Sequence, residues 1–163
     1  MDQESLETKE DIGALLATYA NMLYRVAFSR TQNKSDAEDV VQEVFLRYLR
    51  SNTYFGNEEY RKAWLLRVTI NCSKSLLTSS WFRKTEPLDE DIPVENPELL
   101  GVYPAVQALP VKYRTVIHLY YFEDLSVKQI ASILDIGESS VKTQLHRARA
   151  MLRERLQGEY DEL

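Results

Sequence analysis

The chain has little of what catalytic and metal centres are usually built from: its 163 residues contain one cysteine, two histidines and five glycines. The lone Cys72 excludes an internal disulfide and any site made of grouped thiolates, and it reads as a small packed residue on a helix, not as a reactive thiol. The glycines never cluster, so no loop is available to cradle a phosphate. His118 and His146 fall in separate helical contexts, with no triad and no metal-ligand spacing around them. No apolar run approaches the roughly 18 residues that span a bilayer. The first residues are acidic and polar, unlike a secretory signal. Together these absences argue against an enzyme, a bound metal or cofactor and membrane insertion, and they fit a protein of the reducing cytoplasm.

The chain has the length of one ordinary domain or two small ones, with 44% hydrophobic residues for packed cores and 28% charged residues. A net charge of −5 would argue against nucleic acid if it were evenly spread, and it is not. Residues 61–84 carry six positive charges (Arg61, Lys62, Arg67, Lys74, Arg83, Lys84) and no negative ones. Residues 86–98 carry six negative charges and no positive ones, and residues 138–155 carry five Lys or Arg against Glu138 and Glu154. Two basic stretches therefore flank an acidic one.

Apolar spacing predicts helices almost throughout. Over residues 10–30, Ile12, Leu15, Leu16, Tyr19, Met22, Leu23, Val26 and Ala27 recur at intervals of three and four and form one stripe. A second helix is expected to start with a capping box at Ser35 and Glu38, with Ala37, Val40, Val41, Val44, Phe45, Tyr48 and Leu49 as its buried face. Asp39, Gln42, Glu43 and Leu46 lie on a different face, for which a monomeric core has no use. Residues 51–57 read as a loop. A third helix over 58–79 packs through Trp64, Leu65, Val68, Cys72 and Leu76. The segment 86–97, with three prolines and a block of carboxylates, is a poor recipe for a packed element and reads as an open linker. The predicted fold is all-α: two small helical domains, residues 1–85 and 101–163, joined by an acidic, Pro-containing linker at 86–100. No strand pattern and no internal repeat competes with this reading.

The second half carries the sharper signal. After helices over 98–109 and 110–122, Ser126 can cap a short helix with Ile130, Ala131, Ile133 and Leu134 on its inner face. Residues 135–137 make a turn, and Glu138 or Ser139 can cap a longer helix, completing a helix-turn-helix. Val141, Leu145, Ala148 and Leu152 hold that helix to its domain, while Lys142, Thr143, His146, Arg147, Ala150 and Arg153 face outward. Such a donor-rich face suits the DNA major groove, its first half against base edges and its later arginines against phosphates. A basic helix with a merely solvated face is the plainer alternative; the agreement of helix, turn and face division favours DNA.

These residues resemble a known family. Residues 125–134 and 140–149, with the approach segment 108–124, are similar to the promoter-reading domain of extracytoplasmic-function (ECF) sigma factors of the sigma-70 superfamily. Residues 36–46 resemble the segment by which sigma factors grip the clamp helices of RNA polymerase, and 63–71 resemble the start of the promoter-melting helix. The likeness extends over about 15–156 and implies a promoter-specific initiation subunit, not an enzyme. By it, Asp39, Gln42, Glu43 and Leu46 would bind core polymerase. Tyr54 and Phe55 would wall a pocket for a base flipped from the −10 element, since stacking on an aromatic offsets lost base stacking; two aromatics tucked against the domain would account for them as well. Arg61, Lys62, Arg67, Asn71 and Lys74 would follow the melted strand, and Lys142, Thr143, His146, Arg147, Arg149 and Arg153 would contact the −35 element. The implied partners are core polymerase (clamp helices and flap), promoter DNA and an anti-sigma factor. The acidic linker would thread toward the RNA exit path, although a generic flexible linker has the same composition.

Two departures bear on phosphate contact and promoter preference. Residues 75–82 are Ser-rich where many relatives have an Arg-rich end to the melting helix, and Gln144 stands where relatives often carry Arg. A conventional helix-turn-helix regulator is the competing class; it requires a ligand pocket, phosphoacceptor or dimer surface within 1–85, and none is recognisable there.

Overall fold

The computed structural model describes the backbone of residues 2–51, 55–79 and 101–161, and the side chains of residues 12–51, 55–78 and 101–158. It consists of helices α1 (Asp2–Thr31), α2 (Lys34–Arg50), α3 (Glu58–Ser79), α4 (Tyr103–Gln107), α5 (Val111–Ile117), α6 (Val127–Leu134) and α7 (Glu138–Asp161), with a π-helical turn, His118–Phe122, continuing α5. No strand occurs among the described residues. The expected linker at 86–100 lies outside them.

The first three helices pack on one another, with Leu23, Val26 and Ala27 of α1, Ala37, Val40 and Val44 of α2, and Leu65, Leu66 and Ile70 of α3 all buried. Most of the expected stripes are present. The exception on α2 is Leu49, expected inside and found 51% exposed beside Leu46. The cap of α2 also differs: Asn33, not Ser35, accepts a 3.0 Å hydrogen bond from the backbone of Asp36, because the helix begins one residue before Ser35.

The larger departure concerns α1. A single stripe predicts one buried face, yet every residue from 22 to 30 is buried. Tyr24, Arg25, Phe28 and Ser29 form a second face, and α5 and the π turn from the other half of the chain pack against α1. Contacts across this junction are rich in hydrogen bonds. Arg25 donates to both oxygens of Glu123, at 3.1 and 2.8 Å. Arg114 donates to the carbonyl oxygens of Ser29 and, at 2.9 Å, of Arg30, placing a cation on the negative end of the α1 dipole. Arg30 in turn donates to Thr115 at 2.7 Å and to Ser73. Gln32, in a left-handed conformation at φ 54°, reaches the carbonyl of Gln107 at 2.6 Å.

The π turn explains how Glu123 reaches this junction. The helix expected to run straight to residue 122 widens at His118, whose carbonyl accepts from Glu123 N–H at 3.1 Å. That wider turn brings two side chains five residues apart together, with His118 Nε2 2.7 Å from Glu123 Oε2 and the imidazole stacked on Phe122.

The helix-turn-helix forms as its local chemistry dictates. Ser126 and Gln129 make a reciprocal capping box, with bonds of 3.1 and 2.9 Å. Asp135, at φ 56°, ends α6 in the left-handed conformation, and Ile136 N–H bonds back to Ala131. The cap of α7 is Gly137, whose carbonyl accepts from Val141 N–H at 3.1 Å, and not Glu138 or Ser139. Tyr103–Gln107 is a single short helix, shorter than the expected 98–109, with Pro104 in its first turn.

Two outcomes follow. Ser126→Ala is expected to lower unfolding stability by about 1 kcal/mol in a denaturant titration, because it orphans an α6 N–H. Burial opposes the charge on Glu123, but the contacts with His118 and Arg25 outweigh it and hold the carboxyl below its ordinary value of 4.5. The stability it contributes is complete above pH 4.5 and is lost as pH falls through the lower folded value. The melting-temperature gap between wild type and Glu123→Gln is therefore expected to be constant near neutrality and to close below pH 4.5.

Candidate nucleic-acid interface

The outward face of α7 is as the spacing predicts. Lys142, Thr143, His146, Arg147, Arg149 and Arg153 are all exposed, whereas Val141, Leu145 and Ala148 are buried against α5 and α6. Thr143 donates its hydroxyl to the Ser139 carbonyl at 2.9 Å. Arg149 differs from its neighbours in being held: its Nε donates to Tyr121 Oη at 2.7 Å, and its guanidinium lies over the rings of Tyr120 and Tyr121 at 5.5 and 5.6 Å. The two tyrosines thus fix the direction of one cation on the face. Gln144, at half-exposure, sits between the outward residues and the core.

On α3 the predicted residues divide between two places. Phe55 stacks on Tyr48 (5.9 Å, 9°) and meets Trp64 edge-on at 5.6 Å, with Arg61 5.9 Å above the Phe55 ring. Phe55 is therefore one wall of an aromatic cluster that anchors the loop to α2 and α3, and it remains partly exposed. Tyr54 lies outside the described residues. Arg61 also pairs with Glu58, which accepts at 2.7 Å from Tyr19; burial, and then that bond, push the Tyr19 hydroxyl up to about 12. Lys62 lines a cleft of about 660 Å³ together with Tyr60 of α3, Lys128 of α6 and the α6 cap Ser126. Arg67, Asn71 and Lys74 line a neighbouring cleft closed on its far side by residues 132–136, and Arg67 donates to Ser132 at 3.1 and 3.2 Å.

The third predicted group lies on α2. Asp39 and Gln42 are exposed, Glu43 is half-buried and paired with Arg47 at 3.0 Å, and Leu46 is 44% exposed. Leu49 extends the same face, so an apolar pair sits beside two carboxylates and an amide. Beneath Glu43 and Arg47 lies Cys72, buried, its thiol pushed up chiefly by burial.

Tyr60, 67% exposed at the start of α3, and Leu49 are surface groups that periodicity misassigns or passes over, since an apolar residue at a helix edge carries no sign of which way it turns. Among the described residues no group of three or more His, Cys, Asp or Glu could hold a metal, and no helix is long and apolar enough to cross a membrane.

Both halves of the chain have counterparts among known proteins. Residues 15–83 match Sigma-70 region 2, and residues 101–152 match Sigma-70, region 4. The chain is 31% identical to RNA polymerase sigma factor SigV of Bacillus subtilis, over 94% of this chain and 98% of that one. It is 32% identical to ECF RNA polymerase sigma factor SigW of the same organism, over 85% and 84%. Its fold is shared with the sigma factor RpoE of Bartonella quintana, solved with the anti-sigma factor NepR, at a TM-score of 0.69 and 21% identity over 91% of this chain and 98% of that one. With both sigma-70 regions matched in order and full-length relatives above 30% identity, the chain belongs to the extracytoplasmic-function RNA polymerase sigma factors of the sigma-70 family.

Proposed function

We propose that the chain, as an alternative sigma factor, directs initiation through three surfaces carried by two units, residues 1–85 and 101–163, with 86–100 as the connecting segment. The α2 face formed by Asp39, Gln42, Glu43 and Leu46, extended by Leu49, docks on core polymerase. Arg61, Lys62, Arg67, Asn71 and Lys74 follow the melted −10 strand, with Tyr54 and Phe55 at the base-capturing loop. Lys142, Thr143, His146 and Arg147 read −35 base edges, while Arg149 and Arg153 hold phosphates. The chain works in the cytoplasm as a non-catalytic subunit, and an anti-sigma factor is its regulator.

The observation that carries this reading is the exposed face of α7. Lys142, His146 and Arg147 present nitrogen groups, and Thr143 a hydroxyl oxygen, on a helix whose opposite side is locked in a helix-turn-helix core. A phosphate-only surface would need charge alone; Thr143 and His146 add groups suited to base edges.

Lys142→Ala and His146→Ala are each expected to cost about 1–3 kcal/mol of discrimination at single −35 positions, read by transcription from a promoter library. A uniform loss over all sequences would instead assign them to phosphates. Asp39→Ala with Glu43→Ala is expected to weaken binding to purified core polymerase about tenfold or more while the helical circular-dichroism signal is unchanged. Unaltered affinity would remove α2 from the polymerase contact.

A further inference from the structure

The side chains where the 51–57 loop meets α3 are tied together more closely than a strand-following surface requires. Asn57 caps α3, its side-chain oxygen accepting from Tyr60 N–H at 2.9 Å. Phe55 lies stacked on Tyr48 and edge-on to Trp64, so two aromatic rings already engage it. The guanidinium of Arg61 is its third neighbour, 5.9 Å from the ring centroid. Arg61 is itself held in place. Glu58, one turn earlier on the same face of α3, accepts from its Nη1. Glu58 is secured in turn by α1, where the Tyr19 hydroxyl donates to its Oε2 at 2.7 Å. A hydroxyl on the first helix thus fixes, through one carboxylate, the place of a cation beside the loop.

Such a chain of contacts suits one kind of nucleic-acid contact and not another. A clamp on a phosphate works through free charge and through two adjacent N–H groups of the guanidinium fork. Glu58 offsets the charge of Arg61 and takes a donor from Nη1, while Nε is buried without a hydrogen-bond partner among the described residues. A base needs neither free charge nor a full fork. It stacks on the flat guanidinium or accepts one directed hydrogen bond from it, and both depend on where that plane is fixed. The Arg61 side chain remains 28% exposed beside the partly exposed Phe55, which leaves it within reach of a base brought to the loop. We propose that Arg61 is a specificity-determining contact for a single unstacked base at this loop, not a phosphate contact, and that Tyr19, acting through Glu58, is the residue that positions it. Tyr19 touches no DNA in this arrangement. The role given to Arg61 rests on the reading of α3 as the path of the melted strand.

The test uses the full chain with core polymerase on a promoter library randomised through the −10 element, with transcripts counted by promoter sequence. Arg61→Ala is expected to reduce discrimination at one position about tenfold and to leave the other positions unchanged. Arg61→Lys, which keeps the charge and loses the plane, is expected not to restore it. Tyr19→Phe, which removes one hydroxyl, and Glu58→Gln are each expected to reduce discrimination severalfold at that same position, and neither is expected to add to Arg61→Ala. Salt separates base from phosphate. Loss of one phosphate contact on a single strand lowers the slope of log activity against log salt by about 0.7, whereas Arg61→Ala is expected to leave the slope unchanged. Circular dichroism and melting temperature report whether each variant keeps its fold. A uniform loss over all sequences with a lower slope, or restoration by Arg61→Lys, overturns the base contact. Wild-type preference in both Tyr19→Phe and Glu58→Gln, with Arg61→Ala altered, overturns the positioning role. If Arg61→Ala, Lys62→Ala and Lys74→Ala all keep the wild-type preference and slope, the reading of α3 falls and the proposal falls with it.

Discussion

The burial of α1 from residue 22 to residue 30 on every side is the constraint on which the rest of the arrangement depends. One face of that segment, through Leu23, Val26 and Ala27, joins the core with α2 and α3. The other, through Arg25 and the carbonyls of Ser29 and Arg30, is met by Glu123 and Arg114 from the second half of the chain. A helix that serves two partners cannot be amphipathic in the ordinary sense, which is why Arg25, Ser29 and Arg30 are buried among apolar neighbours. Each of these polar groups is satisfied across the junction or within it, beside an apolar core that Tyr24 and Phe28 share with the second half of the chain.

The same division resolves the paradox of an acidic chain that binds DNA. The carboxylates of α2 lie on a face suited to protein, and the cations of α7 lie on a face suited to nucleic acid. Neither surface is strong alone. With few phosphate contacts available to α7, long-range attraction is modest at cellular salt, and on the proposed reading selectivity falls to the few groups that meet base edges. A larger partner that holds both units at once multiplies two weak contacts through effective concentration, without requiring either to be tight.

Much of this was legible in the sequence. Strong 3.6-residue patterns located α1, α2, α3 and α7, and Ser126 announced the start of α6 through chemistry that is entirely local, which Gln129 completes as a capping box. The outward and inward faces of α7 were legible for the same reason, since one helix and one core determine them. What was not legible depends on contacts between distant segments. Tyr24 and Arg25 gain their burial from α5 and the π turn, some 90 residues away, and no local pattern announces that. The π turn was hidden too, because His118 and Glu123 meet only if one helical turn widens. Leu49 was assigned inward by spacing although the neighbouring helices leave it uncovered. Candidate site residues on α7 therefore stand where spacing put them, while on α3 Arg61 sits over Phe55 and Lys62, Arg67, Asn71 and Lys74 line clefts walled by α6.

Purified core RNA polymerase transcribing genomic DNA, with and without the chain, provides the most direct measurement, read by mapping RNA 5′ ends. Initiation at a discrete set of sites that core alone ignores, sharing two sequence elements upstream at fixed spacing, is the expected result. Specific binding of the chain to duplex DNA by itself, with no association with core and no new start sites, would contradict the assignment and identify a conventional regulator instead.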